Sequence, residues 1–263
     1  MELKKEHIAY FASDFHLGTP DNLSSKDREN EIIEWLNFIS IDATHLFLVG
    51  DIFDFWFEYK HVIPKGFVKL QAKIGELVDK GIEVHLFHGN HNMWMFDYFK
   101  TELGVKIHSN ELIIELNGEL IYISHGDGIG PGDRGYKFIK RIFRNKLCQW
   151  LFARVHPNFG IGLAKYFSTK SRKKTGHLDE KFDGIENEWI YQYILEQHFK
   201  INAKTYIFGH RHLHLHIKND TFQYFNLGEW LHHNSYVRFS LDTWQLLQWK
   251  SNKASTLPSS HLI

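Results

Sequence analysis

Five short stretches place His, Asp or Asn at or just past the end of an apolar run. They are Asp14-x-His16, Gly50-Asp51-x-x-Asp54, Gly89-Asn90-His91, His125-Gly126 and Gly209-His210-x-His212. Their side chains offer imidazole nitrogen and carboxylate or amide oxygen, with no sulfur. That donor set suits Mn²⁺, Fe or Zn²⁺ rather than a thiolate structural site. Two cations roughly 3.5–4 Å apart, sharing a carboxylate, can clamp the attacking and leaving oxygens of an in-line phosphoryl displacement. They also lower the pKa of bound water, so that hydroxide is available near neutrality. Several neutral imidazoles leave the site its positive charge, which a phosphate needs. Asp51 is the expected shared ligand.

The elements that must position these groups follow from periodicity. His45-Leu46-Phe47-Leu48-Val49 is a strand pattern that stops at Gly50 and delivers Asp51 and Asp54 at its C-terminal end, where ligands bind in open α/β sheets. Residues 7–13 predict a first strand, and in an extended strand end Asp14 and His16 point to one side. Strands are also expected over 83–88, 107–116, 119–124, 205–208 and 222–227, with a terminal hairpin through 236–241 and 244–249. Asn117-Gly118 between 107–116 and 119–124 is a strong hairpin signal. Amphipathic helices are expected over Asp27–Ile41 and Phe67–Lys80, and a short one over Met93–Leu103. His85 and His88 lie along a strand and are expected to be structural; His214, His216, His232 and His233 are expected at the surface or behind the ligands. The tail from Ser251 is polar and expected to fray.

The 263 residues are 43% hydrophobic and 24% charged, the composition of a globular chain. Lys+Arg and Asp+Glu balance at 31 each, so overall charge makes no case for nucleic acid. No apolar run of about 18 residues exists, so no transmembrane helix is expected and any membrane contact is peripheral. The N-terminus runs into a strand with no room for a signal peptide. The single cysteine, Cys148, excludes an internal disulfide framework, fits a reducing compartment and is expected to be buried.

Between about 130 and 180 the strand pattern disappears. Residues 136–154 predict a helix with Phe138, Ile142, Leu147, Trp150 and Leu151 apolar. From Gly130 through Leu178 there are twelve Lys/Arg and one acid, Asp133. A neutral chain has concentrated positive charge, interleaved with aromatics, in one insertion. This suggests a lid for an anionic, apolar ligand or an anionic membrane surface. With no internal repeat and no linker, residues 1–250 are expected to form one domain carrying this lid, followed by a tail at 251–263.

The order and type of all five segments closely resemble the calcineurin-like metallophosphoesterase superfamily. The resemblance implies an α/β fold, a four-layer α/β/β/α sandwich. It also implies that Asp14, His16, Asp51 and His212 hold one metal, that Asp51, Asn90, His125 and His210 hold a second, and that Asp54 lies behind the site orienting His91. Within the superfamily the chain resembles the UDP-2,3-diacylglucosamine pyrophosphatase family of lipid A synthesis. That likeness rests on Asp14-Phe15-His16-Leu17-Gly18, Gly50 to Trp56, His125-Gly126-Asp127 followed by Asp133-x-x-Tyr136, the basic and apolar insertion, and Leu227-Gly228-x-Trp230. It implies two divalent ions, Mn²⁺ above all, and water attack on the α-phosphorus of an acylated UDP-glucosamine at the cytoplasmic face of the inner membrane. Catalytic roles are implied for His91 and Asp54. Substrate contacts are implied for Asn90, His91, Asp133 and Tyr136, and for Ser171, Arg172 and Lys174 of the insertion. Two positions depart from the pattern: His91 stands where the best-known branch has Arg, and Asn92 where an acid is usual. The alternatives are another nucleotide-lipid or phosphodiester substrate, or a non-catalytic metal-binding module.

Overall fold

The apolar run Ala9–Ala12 forms the first strand, β1, of the computed structural model. The structure describes residues 7–19, 23–130, 134–179, 182–250, 253–257 and 261–262, with backbone alone for 134, 169–179 and 261–262. After β1 come α1 (Ser25–Ile39), β2 (His45–Leu48), α2 (Val68–Asp79), β3 (Glu83–Phe87), α3 (Tyr98–Leu103) and β4 (Lys106–His108). Then follow β5 (Leu112–Leu116), β6 (Glu119–Ser124), α4 (Arg134–Arg144), α5 (Lys146–Phe152), α6 (Pro157–Asp179) and α7 (Trp189–Ile201). The chain ends with β7 (Thr205–Phe208), β8 (His214–Lys218), β9 (Gln223–Leu227), β10 (Ser235–Ser240), β11 (Thr243–Lys250), β12 (Lys253–Thr256) and β13 (His261–Leu262).

The strands form two sheets, ordered β12-β11-β10-β1-β2-β3-β4 and β13-β8-β9-β7-β6-β5. β1 to β4 run parallel, and β10 joins β1 antiparallel. In the second sheet β6, β7 and β9 are parallel. The central strands β1, β2 and β7 are buried at every position, because both faces of each sheet are covered. Phe11, Phe47, Val49, Ile123, Ile207 and Phe225 fill the space between the sheets. Tyr10, Leu46 and Leu86 turn the other way and meet Ile32, Trp35 and Leu36 of α1 and Leu70, Ile74 and Leu77 of α2. On the far side Tyr206, Phe208 and Tyr224 pack on Ile190, Tyr191 and Ile194 of α7. The layering is α/β/β/α, as the resemblance implies.

Several expected elements differ. Only Tyr98–Leu103 of the expected helix 93–103 is helical. Met93 and Trp94 instead pack with Phe57, and Trp94 forms a bridge to it. The run 107–116 is divided between the sheets: β4 closes the first sheet on β3, and β5 opens the second on β6. The Asn117-Gly118 hairpin forms, with both residues at positive φ (51° and 83°), as a type I′ turn requires. The expected helix 136–154 breaks at Asn145, whose side chain accepts from the amides of Leu147 and Cys148 and starts α5. Cys148 is half-buried rather than buried. β8 had no expected counterpart. The tail does not simply fray: β12 pairs with β11 and β13 with β8, adding one edge strand to each sheet.

Candidate metal centre

The five segments converge at the C-terminal ends of β1, β2, β3, β6 and β7. Two side-chain groups result. Nε2 of His16 and of His212 each lie 3.5 Å from Asp14 Oδ1 and 3.0 Å from one another. On the other side, Asn90 Oδ1 lies 2.9 Å from His210 Nδ1 and 3.2 Å from His125 Nε2. Asp51 stands between the groups: its Oδ2 is 3.4 Å from His125 Nε2, and its carboxylate clusters with Asp14 and with His16 and His91.

Each aspartate divides its two oxygens. Asp14 Oδ2 accepts the His210 amide at 3.0 Å and Asp51 Oδ1 accepts the His91 amide at 2.8 Å. Asp14 Oδ1 is buried and has no hydrogen-bond partner among the described residues. Val49 O, a pure acceptor 2.9 Å from His125 Nδ1, requires the proton on Nδ1. Once the ring gives up its second proton, as metal binding requires, the lone pair of Nε2 points into the group, the arrangement of a metal-ligating histidine with its outer nitrogen occupied.

The charges are correspondingly unbalanced. Burial pushes His125 down, but the Asp51 carboxylate, with Asp14 behind it, lifts it to about 10. Burial pushes the two carboxyls up, yet the surrounding imidazoles hold Asp14 and Asp51 well below their usual range. Burial and the neighbouring His125 lower His210 to about 4. Two buried carboxylates draw positive charge into a space lined by nitrogen and oxygen lone pairs. Divalent cations meet that demand, and the residues present fit them.

The backbone supplies what strand geometry does not. β1 ends at Ala12, and Asp14 and His16 are not extended: their φ values are 56° and 45°. Asp51 (50°), His210 (69°) and His212 (53°) share this left-handed conformation. The expectation that strand alternation aligns Asp14 with His16 is therefore replaced by two left-handed residues on either side of Phe15. Non-glycine residues held there store strain, which concentrates at functional sites. His210 and His212 repeat this geometry but face different groups. Gly50 has φ +87°, and a Cβ on it would stand 2.4 Å from His125 Nδ1; one on Gly89 would stand 2.2 Å from Asp51 Oδ1.

His91 sits beside this centre. Its Nδ1 lies 3.0 Å from Asp54 O and 3.6 Å from Asp54 Oδ1. Ser168 of α6 was not expected here. Its hydroxyl donates to Asp54 Oδ1 at 3.0 Å and lies 3.1 Å from His91 Nδ1. The only signal for it was its place in the basic insertion, near the expected Ser171, Arg172 and Lys174. The side chains of those three lie outside the described residues, as does Asp133. Tyr136 donates to Asp127 Oδ2 at 2.5 Å, and Lys140, also unexpected, pairs with the same carboxylate. Asn92 keeps the acceptor role of an acid, its Oδ1 receiving the amides of Gly89 (2.6 Å) and Asp51 (3.3 Å). His85 and His88 take structural partners, Glu83 with His108 and Met95 O respectively.

The chain is 38% identical over 241 residues to a UDP-2,3-diacylglucosamine hydrolase of Porphyromonas gingivalis (strain W83), covering 87% of this chain and 92% of that protein. It belongs to the UDP-2,3-diacylglucosamine hydrolase family. A member from Actinobacillus succinogenes is 26% identical over 226 residues, covering 85% of this chain and 92% of that one. The fold is shared with Vacuolar Protein Sorting 29 from Cryptosporidium parvum, with a TM-score of 0.50 at 10% identity over 95% of each chain. No family model matches the chain.

Proposed function

We propose that this family member hydrolyses the pyrophosphate of UDP-2,3-diacylglucosamine in lipid A biosynthesis. Water adds to the α-phosphorus, the bond from that phosphorus to the bridging oxygen breaks, and UMP and 2,3-diacylglucosamine 1-phosphate leave. The observation that carries this is the convergence of five mixed His, Asp and Asn segments around Asp51 in a chain 38% identical to a protein of that name.

Two divalent ions, assigned here as Mn²⁺, would be held by Asp14, His16, Asp51 and His212 on one side and by Asp51, Asn90, His125 and His210 on the other. Bound there, they supply Lewis-acid activation of water and of phosphoryl oxygen. His91 acts from the side. The carbonyl of Asp54 holds the proton on Nδ1, so Nε2 is left to face phosphate or to exchange a proton with the leaving oxygen. Asp54 and Ser168 keep that ring in place. Tyr136 and Lys140 fix Asp127 at the margin of the centre, where the sugar phosphate is expected to lie. Asp133, Ser171, Arg172 and Lys174 remain proposed substrate contacts.

Residues 134–179 serve as the acyl-chain lid. Phe138, Leu147, Trp150, Leu151, Phe159 and Phe167 are exposed among the bases. That combination of apolar surface and positive charge suits acyl chains and the anionic, cytoplasmic face of the inner membrane. No helix among the described residues is long and apolar enough to cross a membrane, so the attachment proposed is peripheral.

The test is UMP release from UDP-2,3-diacylglucosamine by protein reconstituted with Mn²⁺. Turnover is expected with the ion and none after chelation. Sustained turnover by verified metal-free protein would remove the mechanism. Cleavage of simple phosphodiesters with none of the nucleotide-lipid would replace the substrate.

A further inference from the structure

Arg211 lies between two proposed ligands, yet its side chain turns away from them into the protein. It is 7% exposed, and its Nη2 donates to Glu188 Oε2 at 3.1 Å. Glu188, 1% exposed, immediately precedes α7. The hydroxyl of Tyr224 on β9, whose pKa burial and the Glu188 carboxylate raise, receives the Asn226 amide at 3.1 Å. The same Asn226 Nδ2 donates to Gly209 O at 2.9 Å, and that oxygen accepts the Arg211 amide at 2.8 Å. A buried polar network thus joins the start of α7, strand β9 and both ends of the Gly209-His210-Arg211 turn.

The turn so enclosed is unusual in its task. His210 faces Asn90, whereas His212 faces Asp14 and His16. Apart from Asp51, it is the segment that serves both halves of the centre. It does so with two non-glycine residues in the left-handed region, at 69° and 53°. Such a conformation persists only where the surroundings over-determine it. A buried ion pair is a poor source of net stability, because desolving two charges consumes most of the attraction. Its service here is geometric.

We infer that Arg211 and Glu188 are positioning residues, whose buried pair holds His210 and His212 at the separation the two metal sites need. The inference rests on the metal-centre reading above. Arg211 and Glu188 touch neither substrate nor metal in this account. They act through the backbone of the turn.

The variant to make is E188Q/R211M, which removes both charges and avoids stranding one. Binding of Mn²⁺ alone is followed by electron paramagnetic resonance, beside the metal-free melting temperature and the kinetics of UMP release. The double variant is expected to melt near the wild type without metal, to bind Mn²⁺ about 10- to 100-fold more weakly, and to lose kcat with KM little changed. R211K, which keeps the charge, is expected to recover part of the affinity. Wild-type Mn²⁺ affinity in the double variant would overturn the inference. So would a fall of the metal-free melting temperature large enough to account for the loss, since that assigns the pair an ordinary structural role. Failure of the wild-type protein to bind two Mn²⁺ ions would instead remove the underlying reading of the centre.

Discussion

Asp51 and Trp150 stand at two extremes of this molecule. The carboxylate is 1% exposed, held by a backbone amide and framed by residues that tolerate no added methyl group. The indole is 53% exposed, with Arg154 over its ring at 4.8 Å. Around Asp51, side chains and backbone are fixed by several neighbours each. The helices of 134–179 are fastened at separate points, among them Ser168 to Asp54, Tyr136 to Asp127, Trp94 Nε1 to Phe143 O at 2.8 Å, Arg144 to Ser109 O at 2.9 Å, and Phe152 against Phe57 and Trp94. The contrast fits the different work proposed for the two regions. Hydrolysis of a phosphoanhydride needs atoms held to fractions of an ångström. Grasping acyl chains needs apolar area, which surfaces of many shapes supply.

The comparison can be broken most severely at Asp51. Asp51→Ala is expected to lower the rate of UMP release on the order of a thousandfold, about 4 kcal/mol of transition-state stabilisation, with Mn²⁺ stoichiometry falling in parallel. Near-normal turnover would mean that the rigid region is not the reacting one. Gly50→Ala comes next. Its Cβ would meet His125 Nδ1 in a left-handed turn, so a loss of about 1–3 kcal/mol in stability is expected, together with weaker Mn²⁺ binding, read by denaturant titration and metal analysis.

Ser168→Ala tests the seam between the regions. It should lower kcat about tenfold while leaving metal content unchanged, because Ser168 touches His91 and Asp54 and none of the proposed metal ligands. Trp150→Glu with Phe159→Glu sharpens the other side: the metal-free melting temperature should stay put, while KM for long-acyl substrate and affinity for anionic vesicles worsen several-fold. Equal effects on a short, water-soluble phosphodiester would erase the division of labour.

A further test concerns pH. Burial holds His85 and His88 at about 4, below the ordinary 6.5. A depressed histidine means that the unfolded chain binds the proton more readily than the folded one. Their contribution is therefore intact above pH 6.5 and declines as pH falls toward 4, by up to about 2–3 kcal/mol for each. Melting temperatures measured across that window should fall, and His88→Gln should flatten the slope.

The centre was legible because its chemistry is written in side-chain types: Asp14, His16, Asp51, Asn90, His125, His210 and His212 meet as the motifs suggested. What could not be read was how the backbone brings them together, since left-handed Asp14 and His16 leave no periodic trace. Ser168 and the Glu188–Arg211 pair depend on tertiary placement across 114 and 23 residues. The stretch 107–116 looks like one strand because apolar alternation does not say which sheet it feeds. The tail looked unstructured because Lys253–Thr256 is exposed at every position, and its strand pairing owes nothing to a buried face.

The position of β1 has a consequence for how the protein is made. It lies between β2 and β10, pairing Ala9 with His45 on one side and Phe239 on the other. β1 thus waits for a strand far along the chain before its second edge is closed. Asp14 is held by the same late arrivals, through the amides of His210 and Trp230. Contacts of such long sequence separation slow folding. Until the segment through β10 has been made, a nascent chain therefore carries an open edge at β1 and an incomplete set of candidate ligands, a state exposed to aggregation.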